Sequence, residues 1–246
     1  KGFTLKDGYT RVYNPSGAVD HYHPDTCGGG VFSKSSQSQV TDCIFTNCAA
    51  FRGGGAMYGR HKNCRYYGNR VLYGGGAASE TSQYDCLTKN NSANYANGAY
   101  ANFLNLKDMD RCTMLDRTCL FGNTRNSLVL GNVSIYGSYT LTNMLTNVVF
   151  NASKTIQQKL KDLINGGYAP GCQMVTEDNL QVDADFRPVI GANAAIDAGL
   201  ASVSQYMDET DYTGVQRIYN GALDCGALEA DWRSIYRDDI GKERYL

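Results

Sequence analysis

Glycine triplets recur along this chain in step with cysteines. Gly28-Gly29-Gly30, Gly53-Gly54-Gly55 and Gly74-Gly75-Gly76 are followed by Asn97-Gly98-Ala99, and the last glycines lie 25, 21 and 22 residues apart. Cys43, Cys64 and Cys86 are separated by 21 and 22 residues, and Cys112 follows after 26. Two unrelated landmarks sharing a period of about 22 residues mean stacked copies of one small unit. Any fold for this chain must be built from that unit.

One copy reads Val40-Thr41-Asp42-Cys43-Ile44-Phe45-Thr46-Asn47, then Gly53-Gly54-Gly55-Ala56-Met57-Tyr58. The next reads Lys62-Asn63-Cys64-Arg65-Tyr66-Tyr67-Gly68-Asn69, then Gly74-Gly75-Gly76-Ala77. The runs are too short for helices and carry no 3.6-residue period, whereas short alternating strands broken by Gly and Asn fit. A 22-residue coil has a perimeter of about 70 Å at roughly 3.3 Å per residue. That suits three short strands per turn of a parallel β-solenoid, whose coils bury a common column only when stacked. The Leu-x-x-Leu-x-Leu pattern of leucine-rich repeats is absent, and a propeller blade needs about twice this period.

Strand phase predicts what faces inward. Cys43/Phe45, Cys64/Tyr66, Cys86/Thr88 and Cys112/Met114 share one parity, and thiols are among the most buried side chains. Asp42, Asn63, Asp85 and Arg111 share the other parity and are expected to face solvent. Stacked cysteines at strand spacing are farther apart than the roughly 3.8 Å between Cβ atoms that a disulfide needs, so a reduced ladder is expected. Cys27, Cys48, Cys119, Cys172 and Cys225 are read as lying off it. His21, His23 and His61 show no ligand spacing with cysteines, which argues against structural zinc.

Charge excludes one class of function. The 23 basic and 24 acidic residues give a net charge of −1, and neither sign clusters, so the electrostatic footprint of a nucleic-acid binder is missing. No stretch approaches the 18 or so apolar residues of a membrane-spanning helix. The opening Gly2-Phe3-Thr4-Leu5-Lys6-Asp7-Gly8 reads as a strand and turn of a coil already under way, as expected of a mature or excised fragment.

Along the chain, residues 1–152 read as solenoid coils, 153–169 as helix and linker, and 170–246 as a C-terminal cap. Ser153 is the expected helix cap, with Ile156, Leu160, Leu163 and Ile164 on one face and Gly166-Gly167 as the stop. The helix is expected against an open end or flank of the solenoid.

Gly54-Gly55-Ala56-Met57, Gly75-Gly76-Ala77 and Tyr66-Tyr67-Gly68-Asn69 resemble the Gly-Gly-Ala-Ile and Phe-x-x-Asn repeats of polymorphic outer-membrane proteins. Pro188-Val189-Ile190-Gly191-Ala192-Asn193-Ala194-Ala195-Ile196-Asp197-Ala198-Gly199 resembles the Gly-Ser-Pro-Ala-Ile-Asp-Ala-Gly signature of choice-of-anchor-Q surface proteins. Arg217-Ile218-Tyr219-Asn220-Gly221-Ala222-Leu223-Asp224-Cys225-Gly226-Ala227-Leu228-Glu229 resembles their closing block. The resemblance implies an all-β, right-handed parallel β-helix that is exported, extracellular or bacterial cell-surface and outer-membrane associated. It carries no agreed catalytic set, and Ala194 stands where the family has Pro.

Chemistry is therefore sought on the outer faces. In pectate-lyase-like β-helices, carboxylates on neighbouring coils bind Ca²⁺ and an arginine assists proton abstraction. Asp42, Asn63 and Asp85 with Arg65 are the matching candidates here, as oxygen ligands for Ca²⁺ and an adjacent base. Against that stands a solvated strand face. Asp108, Asp110 and Asp116 with Arg111 and Arg117 read as a polar loop. Asp208, Glu209 and Asp211 before Gly214 lack a full Ca²⁺-loop pattern. Tyr58, Tyr67, Tyr73, Tyr95 and Tyr100 fall near turns and are candidates for a sugar face, since tyrosine joins an apolar ring to a polar edge. The expectation is a monomeric, non-catalytic module for adhesion or carbohydrate binding, without a cofactor unless Ca²⁺ serves. A polysaccharide lyase is the alternative.

Overall fold

The computed structural model describes residues 1–11, 22–94, 103–104, 107–120, 122–134, 144–154, 158–191, 193–204, 206–219 and 222–231. It is a parallel β-solenoid of stacked coils. An eight-stranded sheet runs Thr4–Lys6, Ile44–Thr46, Arg65–Tyr67, Leu87–Lys89, Thr113–Met114, Leu128–Val129, Val149–Asn151 and Gln173–Val175. A six-stranded sheet starts at Gln39–Thr41 and Arg60–Lys62, a four-stranded sheet at Val31–Phe32 and Ala56–Met57, and a three-stranded sheet holds Ala49–Arg52, Arg70–Gly74 and Ser92–Ala93. The middle coils thus have four faces where three were expected. The extra bend comes from single residues in the left-handed region.

Every strand of the eight-stranded sheet is preceded by such a corner. Gly2, Asp42, Asn63, Asp85, Arg111, Asn126, Asn147 and Gly171 have φ between 47° and 75°. All but Arg111 are Gly, Asp or Asn, the residues that reach this region most readily. The corners stack: the Asp42 N–H donates to the Lys62 carbonyl at 3.0 Å, and the Asn63 N–H donates to that of Tyr84 at 3.0 Å. The column read as a solvent-facing strand parity is a row of turns.

The lumen follows the expected parity. Cys43, Cys64, Cys86 and Cys112 are buried thiols. Cys172 belongs to the same column, directly after corner Gly171, and is also buried. Its place was hidden because Ser127 and Val148 interrupt the cysteines. Phe45 stacks on Tyr66 with ring centroids 4.9 Å apart and planes 7° apart, as equivalent positions on parallel neighbours should. His61 sits beside them. Its Nε2 lies 2.9 Å from the Tyr58 carbonyl and its Nδ1 lies 2.6 Å from the Tyr66 hydroxyl. A carbonyl only accepts, so Nε2 carries the proton and Nδ1 accepts from Tyr66.

A second ladder closes the opposite corner. The Asn69 Oδ1 accepts from the Cys48 N–H at 2.9 Å, and its Nδ2 donates to the Phe45 carbonyl and to Asn91 Oδ1, both at 3.0 Å. Asn91 Nδ2 donates to the Tyr66 carbonyl at 2.9 Å, and Asp116 accepts from the Asn90 and Asn91 N–H groups. The Asn of the Phe-x-x-Asn motif is thus an internal backbone clamp.

The glycine clusters are a third corner. Gly28, Gly53 and Gly75 have positive φ; the fourth copy, at Asn97-Gly98-Ala99, lies outside the described residues. Gly55 itself has no positive φ. It faces Ala77, because strand Arg70–Gly74 carries one extra residue between the Ala50–Val71 and Arg52–Gly74 pairs. A Cβ on Gly55 would lie 2.6 Å from the Ala77 carbonyl oxygen and 2.8 Å from Tyr66 Cδ1. Close approach, not φ, requires glycine there.

Coil length is uneven. Arg65 pairs with Leu87 and Leu87 with Thr113, but Thr113 pairs with Leu128, a coil of only 15 residues. The helix Gln158–Asn165 buries Leu160 among Val148, Phe150 and Cys172 at the end of the lumen. Ile156 lies outside the described residues, and Ser153 sits in a turn after Asn151. The strand Gln173–Val175 then continues the solenoid sheet. The remaining C-terminal region clamps a flank: Leu180, Ala195 and Cys225 pack on the outward Leu128 and Val149.

Candidate functional site

The clamp determines what became of the candidate lyase residues. Asp42 and Asn63 are brought together, Asn63 Nδ2 donating to Asp42 Oδ1 at 3.0 Å, with Lys1 3.5 Å from the carboxylate. Asp85 is only 1% exposed and Arg111 is fully buried, which corrects the expectation that both face solvent. Arg111 grips Asp85 through Nε and Nη2 at 2.6 and 3.1 Å, and Arg217 from the clamp reaches the same carboxylate at 2.7 Å. Two guanidinium groups thus supply three donors to this one buried carboxylate. Arg65 lies under the Tyr212 ring, 3.5 Å from its centroid, and burial, offset by Arg65, leaves the Tyr212 hydroxyl raised to about 12.

The same network explains the closing sequence block. Arg217 Nη1 donates to Glu229 Oε1 at 2.8 Å, Glu229 Oε2 accepts from the Asp224 N–H, and Asp224 accepts from the Asp197 and Ala230 N–H groups. Gly226 approaches so closely that a Cβ would lie 2.8 Å from Thr113 Oγ1, while the Ala227 N–H donates to that hydroxyl at 2.9 Å. Burial raises the Glu229 carboxyl to about 8, with Arg217 opposing the shift and Asp224 adding to it. These residues fasten the clamp to the corner column.

Other acidic groups are also structural. Asp108–Asp110 is a strand, and Asp110 is buried against Arg111 at 2.6 Å, so this segment is not the expected loop. Asp116 caps the asparagine ladder. Asp211 accepts from Thr213 and Val215, and Asp208 pairs with Lys62 at 2.6 Å. Among the described residues no His, Cys, Asp or Glu cluster has the arrangement of a metal site.

The tyrosines divide. Tyr58 is a corner residue packed edge-on against Phe32 at 5.6 Å. Tyr67 is half-buried on the clamped face near Arg65. Tyr95 and Tyr100 lie outside the described residues. Tyr73 lies on the three-stranded sheet, stacked with Phe51 at 5.7 Å.

That sheet carries the open surface. Tyr9, Ala49, Arg70 and Ser92 are in register across successive coils. Alternation buries Ala50, Val71 and Ala93 and leaves Tyr9, Arg70, Ser92 and Leu72 exposed. At one edge is a half-open groove of about 360 Å³, lined by Asp7, Gly8, Tyr9, Asn47, Ala49, Gly68 and Arg70. Asp7, Asn47 and Gly68 are stacked left-handed corners. Gly68 contributes no side chain, and the Asn47 amide fills that place: a Cβ on Gly68 would lie 2.8 Å from Asn47 Oδ1. Tyr9 is 67% exposed. Around it stand a carboxylate that accepts, an amide that does both and a guanidinium that donates. Asp7, Tyr9, Asn47 and Arg70 escaped sequence reasoning. The insertion after Leu5 hides the first coil's register, and only pairing of Tyr9 with Ala49 reveals it.

No protein-family profile, no curated protein and no solved structure matches this chain. No helix among the described residues is long and apolar enough to cross a membrane.

Proposed function

We propose that this chain is a non-catalytic β-helix module for carbohydrate binding or adhesion, which holds a glycan on the outer face of its three-stranded sheet. One observation carries the reading: the exposed Tyr9 shares a groove of about 360 Å³ with Asp7, Asn47 and Arg70. A sugar presents apolar C–H faces and a rim of hydroxyls. An aromatic ring accepts the first, and a few fixed donors and acceptors read the second. The volume falls within the range of small-ligand clefts, roughly 300–1,000 Å³. Resemblance to polymorphic outer-membrane repeats and to choice-of-anchor-Q tails supports export and display at a bacterial cell surface, with a host or cell-surface glycan as partner.

A glycan array followed by calorimetric titration tests this. Tyr9→Ala and Arg70→Ala should each weaken binding at least tenfold while leaving the unfolding midpoint unchanged. Undiminished binding in both variants would refute the location. Ca²⁺-dependent release of unsaturated uronate, abolished by Arg65→Ala, would establish the lyase alternative instead.

A further inference from the structure

The floor of the groove is a small residue between two long ones. Tyr9, Ala49 and Arg70 follow one another in register on successive coils, and all three line the groove. Ala49 shares the outward face with them, while Ala50 and Val71 turn inward. Yet Ala49 is only 6% exposed, whereas Tyr9 and Arg70 are both exposed. An outward methyl that water hardly reaches lies at the bottom of a cleft. The longer side chains on either side are its walls.

Strand geometry sets the width of that cleft. Side chains stand roughly perpendicular to a sheet, so the walls are two strand spacings apart, about 9.5 Å. A ring held between them makes carbon contacts of about 3.5–4.0 Å on each side. What is left is the thickness of one puckered ring, and two rings side by side do not fit.

The ends are bordered too. Asp7 and Asn47 stand at the corner column, with the Asn47 amide against Gly68. Phe51, the next outward residue after Ala49, is half-buried at the other end. A sugar ring therefore enters edge-on from solvent. Tyr9 covers one face and the aliphatic stem of Arg70 the other, while Asp7, Asn47 and the Arg70 guanidinium meet hydroxyls at the rim. An interior residue of a linear glycan is substituted at opposite ends of its ring and needs two ways out. A slot bordered at both ends gives one, toward solvent.

We propose that the groove is a slot for a single sugar ring standing edge-on over Ala49, so that the module recognises the end or a branch of a glycan and not the interior of a linear chain. Ala49 sets the depth of the slot. This rests on the carbohydrate-binding reading above.

The test takes the strongest oligosaccharide on a glycan array and titrates it beside two relatives. One has every non-reducing end extended by a further sugar, and the other is the terminal monosaccharide alone. Extension should weaken binding at least about tenfold, and the monosaccharide should keep most of the affinity. Ala49→Leu should fill the slot and weaken binding by a similar factor, with Ala49→Ser as the control that keeps it. Should Ala49→Leu fail to fold, the wild-type titrations with those three ligands still decide.

Undiminished binding of the extended form, affinity that climbs with each interior sugar, or Ala49→Leu binding as tightly as wild type overturns the slot while leaving the carbohydrate module standing. Silence of the whole array defeats the carbohydrate reading itself.

Discussion

Replacing Asn69 with alanine should expose how much of this solenoid rests on side-chain-to-backbone bonds. Asn69 is fully buried, and its amide makes three bonds: from the Cys48 N–H at 2.9 Å, to the Phe45 carbonyl at 3.0 Å and to Asn91 Oδ1 at 3.0 Å. Without the side chain the Cys48 N–H loses its acceptor, which costs about 1–3 kcal/mol for a buried orphan. The lost donor to Phe45 adds about 0.5–1.5 kcal/mol. Asn91 Oδ1 keeps the Asn69 N–H as a donor at 3.0 Å, so the damage stays local. The total is about 2–4 kcal/mol, a large share of the 5–15 kcal/mol typical of a domain. Asn47→Ala is the control. Asn47 is exposed at a positive-φ corner, so its loss should cost only about 1–2 kcal/mol of left-handed strain. Urea unfolding with an unchanged slope reads both numbers. An Asn69→Ala midpoint equal to wild type, or a larger loss for Asn47→Ala, would refute the reasoning.

Four further outcomes are expected. Gly55→Val should destabilise far more than Ala56→Gly, because the new side chain meets the Ala77 carbonyl and the Tyr66 ring; comparison of unfolding midpoints decides. Arg217→Met should cost about 1–3 kcal/mol by leaving the buried Glu229 carboxyl without its donor while Asp85 keeps Arg111, and should speed hydrogen exchange in the clamp before the lumen strands. Glu229 is raised to about 8 when folded, so its stabilisation is present below the usual carboxylate range and lost as pH climbs through 8. Melting curves between pH 5 and 9 should therefore decline less steeply in Glu229→Gln than in wild type. Cys43, Cys64, Cys86, Cys112 and Cys172 should resist thiol labelling until the protein unfolds, and rapid native labelling of these five would contradict the closed lumen.

The fold was legible because a solenoid writes one structural unit many times. Two landmarks fixed period, and alternation around each cysteine fixed which side chains fill the lumen. Local irregularities broke that reading. One extra residue near Leu72 and Tyr73 shifted the glycine alignment by one, so Gly76 was matched to Gly55 where the coils pair Ala77. The 15-residue coil from Thr113 to Leu128 has no glycine triplet to announce it, and Ser127 and Val148 hid Cys172's membership. Asp42, Asn63, Asp85 and Arg111 sit at a position where parity has no meaning, because a left-handed corner resets it. Nothing near Asp85 in the sequence signals Arg217, more than a hundred residues away. The groove stayed hidden for the same reason: Asp7, Tyr9, Asn47 and Arg70 become neighbours only through coil stacking.

The C-terminal clamp changes how such a molecule can come apart. Stacked repeats ordinarily fray from an end, each coil held only by its neighbour. Here Asp208 and Tyr212 hold Lys62 and Arg65, Arg217 holds Asp85, Ala227 holds Thr113, and Cys225 donates to the Asn147 carbonyl at 3.0 Å. One segment is thus riveted across successive coils like a spine along a stack of rings. A pull along the axis would load every rivet in parallel, so these coils should yield as a single mechanical unit and not peel away one by one.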